Sequence, residues 1–171
     1  MPTVDTFLAI ASKRDTRRYA DRPLADEVQR RILDAGRLAG SARNRQPWRF
    51  LVVENAAVKE RLADTVFAPG NVRGATFVVA IVVEGSAGYD IGRCMQNMML
   101  AASNEGVVSA PNGMPDPEET ARALGLQGDE RPAVVLSFGY SANPRDPSRR
   151  TAEEWSARAD RKPLDELVER V

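Results

Sequence analysis

Two short stretches carry residue types and spacings suited to ligand chemistry: Lys13-Arg14-Asp15-Thr16-Arg17, and Gly40-Ser41-Ala42-Arg43-Asn44-Arg45-Gln46-Pro47-Trp48. Arg14 and Arg17 could meet one phosphate, because a guanidinium presents a planar fork of donors that pairs bidentately with phosphate oxygens. Asn44 and Gln46 each offer a donor and an acceptor, which matches the alternating C=O and N–H edge of a flavin or pyrimidine ring. Together they suggest a phosphorylated, ring-bearing cofactor. Each also has a plainer reading, the arginines as solvated surface and the amides as turn formers. Farther along, Pro111-Asn112-Gly113 either turns backbone N–H groups toward a ring nitrogen, glycine permitting close approach, or forms an ordinary turn. Arg161-Lys162 before Pro163 reads as a second phosphate clamp or as a basic helix entry.

The remaining chemistry is narrowed by what the composition lacks. The chain has no histidine and one cysteine, Cys94, which removes Ser-His-Asp and Cys-His catalysis, every His-based zinc site and any internal disulfide. Cys94 lies in an apolar helical stretch and reads as a buried structural thiol. Dispersed carboxylates leave no Asp/Glu pair for hydrolysis or metal binding, and neither G-x-G-x-x-G nor a P-loop occurs. An enzyme built from this inventory leaves its chemistry to a cofactor. Lys+Arg and Asp+Glu balance at 24 each, so no global basic field favours nucleic acid or an anionic membrane. No apolar run approaches the ~20 residues needed to span a bilayer, and the expected address is cytoplasmic.

The candidate residues sit between elements that would hold them. With 171 residues and 43% hydrophobic content, the chain fits one domain with a real core. Val4, Phe7, Leu8 and Ala11 recur at helical spacing up to the basic cluster. A second helix starts near Pro23 and carries Leu24, Val28, Ile32, Ala35 and Ala39 on one face, delivering the chain to the Asn44 loop. Trp48–Glu54 and the continuous apolar run Phe77–Glu84 read as strands, the latter buried on both faces. Val58, Leu62 and Val66 mark a helix between them. Tyr89–Glu105 reads as a central helix stopped by Gly106. A turn-rich stretch over 107–117 then leads to a short helix near Glu118–Leu124, followed by a third strand, Ala133–Phe138. Residues 141–160 begin with Pro, Arg, Asn and Ser and read as an exposed arm. Leu164, Leu167 and Val168 suggest a small amphipathic helix. This irregular alternation indicates an α+β layered domain.

In this order the motifs resemble the nitroreductase family of FMN-dependent oxidoreductases. The resemblance rests on Lys13-Arg14-Asp15-Thr16-Arg17, Ser41 to Trp48, Asp90-Ile91-Gly92 with Gln96-Asn97-Met98-Met99-Leu100-Ala101-Ala102, Gly106 to Ser109, Ser137-Phe138-Gly139-Tyr140 and Arg161-Lys162-Pro163-Leu164. It implies a three-layer α/β/α sandwich with a mixed, mainly antiparallel central sheet. By the same resemblance, Lys13, Arg14, Asp15 and Arg17 lie at the ribityl-phosphate and pyrimidine side of FMN. Asn44 and Gln46 face the ring edge or ribityl chain with Ser41 and Ala42 nearby, Pro111, Asn112 and Gly113 lie near flavin N5, and Arg161 returns to the phosphate. Family members are homodimers with FMN in the interface, so the 141–160 arm is expected to cross to the partner.

The implied activity is hydride transfer from NAD(P)H to the flavin and on to a nitroaromatic, quinone or similar small acceptor. Two alternatives share the same residues, a flavin-binding protein without turnover and a flavin destructase-like enzyme. The second is suggested by Asp15, which stands where Ser is commoner. Gly40 in place of a frequent Pro and Val107-Val108 in place of Leu-Gly are further departures from the family pattern.

Overall fold

The protein is represented by a computed structural model that describes residues 5–85 and 88–171; Val4, expected in the first helix, lies outside them. Contacts divide the chain into two units, Arg14–Pro144 and a smaller one joining the chain up to Lys13 with Arg145–Val171.

The larger unit is built around the strand β2, Phe77–Glu84. Its residues from Phe77 to Val83 are all buried, as a continuous β-branched run demands. The strand therefore sits inside a four-stranded sheet ordered β1-β2-β4-β3, with β1 at Arg49–Val52, β3 at Val107–Asn112 and β4 at Glu130–Tyr140. Every pairing is antiparallel, with Leu51 opposite Ala80, Val79 opposite Leu136 and Ser109 opposite Phe138. The mixed character expected of the sheet is limited to one isolated parallel bridge, Asp15 to Ser109.

Alternation along β2 sends side chains to two helical layers. Phe77, Val79, Ile81 and Val83 join Leu136 and Phe138 under α2, Asp26–Arg37, and α5, Gly88–Asn104, which contribute Ile32, Ile91, Cys94, Met98 and Ala102. Val78 and Ala80 join Val135 under α3, Ala56–Asp64, and α4, Pro69–Gly74, through Leu62, Ala63 and Val72, with Val66 from the link between the two helices. The helix α6, Pro117–Leu124, is capped at its start by the Asp116 carboxylate on the Glu118 and Glu119 N–H groups. The resulting α/β/α layering matches the expectation. On the first face Gly36 lets α2 press close, since a Cβ there would lie 2.8 Å from Met98 Cγ and 2.9 Å from Phe50 Cζ.

Two expectations need correction in this unit. Val107–Asn112, read as turn-rich, is a strand; Pro111 is tolerated because β3 is an edge strand, where a missing N–H costs no ladder bond. The strand expected at Ala133–Phe138 extends to Glu130–Tyr140. Pro132 enters it where the register shifts against Ile81 and Val82, a bulge that absorbs the lost donor.

In the smaller unit, α1, Thr6–Ser12, is capped by Asp5, whose carboxylate accepts from Phe7 N–H at 2.9 Å and Leu8 N–H at 3.1 Å. A further helix not expected from sequence, α7, Ala152–Ala157, begins with a capping box between Thr151 and Glu154. Its Trp155 is buried, donates to Pro147 O at 2.9 Å and lies under the Arg150 guanidinium. The amphipathic helix expected around Leu164 is only a 3-10 turn, Leu164–Glu166, and Leu164, Leu167 and Val168 are exposed. With no burial for its apolar face, nothing propagates the turn into an α-helix.

Cys94 is fully buried, and burial pushes its thiol up from an ordinary 9.0 to about 12. Iodoacetamide at pH 8 is therefore expected to spare the native protein and to label Cys94 in denaturant. The folded state keeps this proton while the unfolded chain releases it near 9.0. The contribution to stability is thus full below that pH and lost as pH climbs toward 12. Native labelling at pH 8 would contradict the buried placement.

Candidate functional site

The basic cluster is stitched to the end of the sheet by its backbone. Asp15 bridges Ser109, and Thr16 N–H donates to Ser109 O at 3.3 Å. Three residues after Thr16, Tyr19 bridges Ser141; Ala142 N–H donates to Arg18 O at 3.1 Å, and Ala20 N–H donates to Tyr140 O at 2.8 Å. The Tyr19 ring lies across Gly139, where a Cβ would come within 2.8 Å of Tyr19 Cδ1. Arg14 is partly buried, while Asp15 and Arg17 are exposed. Burial raises the Tyr19 hydroxyl above its ordinary value; the Ser137 hydrogen bond and then Arg17 oppose this, and Asp15 adds to it.

Tyr19 also opens a buried polar chain. Its hydroxyl shares a 2.8 Å hydrogen bond with Ser137 Oγ, and Asn112 Nδ2 donates to Ser137 Oγ at 3.1 Å and to Val135 O at 3.1 Å. Asn112 is thus turned into the protein, and its Oδ1, like Ser109 Oγ, is buried without a hydrogen-bond partner. Such unpartnered buried polar atoms are uncommon. What the 111–113 stretch offers outward is its backbone and Gly113. Pro111, Asn112 and Gly113 line a largely apolar cleft of about 620 Å³ with Ile91, Gly92 and Met95 of α5 and Ala133 and Val134 of β4. Arg131 stands at this cleft and donates to Gly85 O.

The 41–46 loop has an unusual backbone. Arg43, Asn44 and Gln46 all take positive φ, near +54°, +54° and +50°, a region in which non-glycine residues are strained. Several hydrogen bonds over-determine it. Ser41 Oγ accepts Gln46 N–H at 2.8 Å, Ser41 O accepts Asn44 N–H at 3.0 Å, and Asp90 Oδ2 accepts Ala42 N–H at 3.2 Å. Ser41 and Ala42 therefore shape the loop, while Asn44 and Gln46 are exposed, Gln46 Nε2 reaching Asn44 O at 3.3 Å. Gln46 and Trp48 line a second cleft of about 730 Å³ with residues of α2. Gly40 lines a third, of about 620 Å³, with Tyr89, Arg93, Gln96 and Asn97. Gly40, at the entry of the amide loop, and the 111–113 stretch thus line separate clefts that flank the first turns of α5, while Gln46 faces the cleft beside α2.

Lys13 and Arg161 belong to the smaller unit. Lys13 caps the end of α1 through its backbone, and the exposed Arg161 donates to Ala159 O at 3.1 Å. Sequence reasoning passed over Phe67, which looks like one more apolar position after α3. Its ring is 76% exposed, large for a phenylalanine, and lies against Gly113, where a Cβ would meet it at 3.0 Å. Phe67 N–H donates to Gly113 O at 3.0 Å, fixing this placement. Asp90 belongs to the Asp90-Ile91-Gly92 motif, but its role as loop acceptor spans 48 residues and has no local signature.

Among the described residues, no group of three or more His, Cys, Asp or Glu could hold a metal ion, and no helix is long and apolar enough to cross a membrane.

Comparison with known proteins agrees with this geometry. The sequence matches the nitroreductase family over residues 10–87 and 84–140. It is 28% identical over 169 residues to a protein of Methanothermobacter thermautotrophicus named "Putative NADH dehydrogenase/NAD(P)H nitroreductase", covering 89% of this chain and 88% of that one. It is also 28% identical over 169 residues to the iodotyrosine deiodinase of Thermotoga neapolitana, covering 80% of this chain and 89% of the relative. Among solved structures, a "putative nitroreductase in complex with fmn" from Desulfovibrio desulfuricans superposes with a TM-score of 0.82 at 27% identity, covering 97% and 96% of the two chains. With its sheet order, its two helical layers and a family match running through both the basic cluster and the amide loop, the chain belongs to the nitroreductase family.

Proposed function

We propose that this chain is an FMN-dependent NAD(P)H oxidoreductase acting on small, electron-poor aromatic or quinone acceptors, as a cytoplasmic homodimer with FMN in the interface. The observation that carries the reading is the 41–46 loop, whose strained backbone is held by three hydrogen bonds while Asn44 and Gln46 stay exposed. A protein maintains such strain where a fixed set of donors and acceptors serves a ligand. The FMN complex of the Desulfovibrio desulfuricans neighbour supports the identity of that ligand.

The residues present fit the cofactor. Arg14 and Arg17 supply guanidinium groups from a backbone fixed to the sheet, suited to phosphate or to an electron-rich ring edge. Asp15 follows Arg14 toward the phosphate and ribityl side, and the roles of Lys13 and Arg161 there, in the smaller unit, rest on the family resemblance alone. Asn44 and Gln46 read the ring edge, with Ser41 and Ala42 holding them there, and Pro111, Asn112 and Gly113 bring backbone beside the ring. Bound FMN supplies two-electron chemistry, hydride from NAD(P)H being passed on to the acceptor. The exposed Phe67 ring beside Gly113 offers a stacking face for an aromatic acceptor. A relative whose name specifies iodotyrosine supports that class. The separate clefts on either side of α5 fit a site completed by a second copy, with 141–160 as the crossing arm of a single 1–171 domain.

Purified protein is expected to be yellow, to hold FMN stoichiometrically and to bleach with NADH or NADPH. Binding without bleaching would favour a flavin store, and loss of flavin on aeration after reduction would favour destructase chemistry. Colourless protein that ignores added FMN would sink all three. Arg17→Ala should weaken FMN binding by about 1.5–3 kcal/mol, the range for a charge-assisted hydrogen bond, measured by flavin fluorescence titration. Phe67→Ala should raise KM for an aromatic acceptor about three- to tenfold, as expected for a lost ring contact of about 0.5–1.5 kcal/mol. FMN affinity and the rate of bleaching by NAD(P)H should stay unchanged in that variant.

A further inference from the structure

Asp90 and Arg93 lie three residues apart at the start of α5, so they project from one side of the helix. Both meet the 40–46 loop. Asp90 is 7% exposed, and its Oδ2 accepts the Ala42 N–H at 3.2 Å. The Arg93 guanidinium lies against Gly40, so closely that a Cβ at position 40 would fall inside contact distance of Nη2 and 3.1 Å from Cζ. The strained residues Arg43, Asn44 and Gln46 follow directly. A strained segment persists only when its surroundings over-determine it, and here the anchors at its entry come from α5.

We propose that Asp90 and Arg93 are positioning residues that set the shape of the amide loop from the first turns of α5, and that Gly40 is small because Arg93 occupies the space of its side chain. The glycine found where the family pattern often has proline is then one half of a pair. A proline or alanine would stiffen the loop entry but evict the guanidinium, which can swing aside on its flexible stem. The inference deepens the flavin reading, on which the roles of Asn44 and Gln46 rest, but the clamp can be measured without flavin.

Arg43 and Arg45 are exposed within the loop, so trypsin reports its order directly, with cleavage sites assigned by mass spectrometry. Asp90→Ala is expected to speed cleavage after these two residues about tenfold and to weaken FMN binding by a similar factor. Asp90→Asn, which keeps an acceptor oxygen, should restore both to within about threefold of the unmodified protein. Arg93→Ala and Gly40→Ala should each loosen the loop by a smaller factor, and the double variant should be no worse than either alone, as expected of residues acting through one contact. Equal cleavage in Asp90→Ala and the unmodified protein, or additive effects at 40 and 93, would overturn the proposal. If Asp90→Ala does not fold, amide exchange decides: the Ala42 N–H of the unmodified protein must exchange far more slowly than an open-loop amide, and fast exchange overturns the clamp. Absence of FMN binding by the unmodified protein, with the cleavage pattern as expected, would uphold the clamp and overturn the flavin reading alone.

Discussion

The two-sided burial of β2 is the constraint on which the larger unit depends. A strand whose residues from Phe77 to Val83 are all withdrawn from water needs a hydrogen-bonded neighbour on each edge and a helical layer on each face. β1 and β4 meet the first demand, and α2 with α5 and α3 with α4 meet the second. The two layers differ in character. The α2/α5 side packs large apolar side chains and draws α2 inward at Gly36, whereas the α3/α4 side is smaller and is fastened at its rim by Arg73 to Glu60 and Asp64. On the more heavily packed side, the start of α5 meets Ala42 of the amide loop and shares a cleft with the 111–113 stretch.

Much of this was legible because the signals were local. The β2 run, the α5 periodicity and the Gly106 stop each sit in contiguous residues whose chemistry has one structural solution. β3 was not legible: Val107–Asn112 contains Pro111 and Asn112, both poor strand formers, and its strand character comes from pairing with β4 about thirty residues away. α7 escaped notice because its capping box and a single buried Trp155 stabilise six residues too short to show a period. The tail failed in the opposite sense, since Leu164, Leu167 and Val168 have helical spacing but no surface to bury them.

The site was legible in its residue types more than in their tasks. Asn112, read as part of a loop over a ring, spends its amide on Val135 and Ser137 inside the sheet and leaves backbone and Gly113 to face the cleft. Ser41 and Ala42, read as neighbours of a ligand, are what holds the loop in shape. Asp90 and Phe67 were invisible as site residues because their partners, Ala42 and Gly113, are 48 and 46 positions away. Local spacing identifies groups able to bind; only tertiary contacts distinguish those that face a ligand from those that hold the binders still.

The first turns of α5 carry Gly88 and Gly92, and both residues line the two clefts on either side, one with Pro111 and Gly113 and the other with Gly40 and Arg93. Neither glycine has a neighbour within reach of a would-be Cβ. The helix is therefore at its thinnest where it divides the two spaces, a partition of bare backbone. Position 92 sets the thickness of that wall, so one added side chain there would redistribute volume between the two chambers without disturbing the packed core beneath.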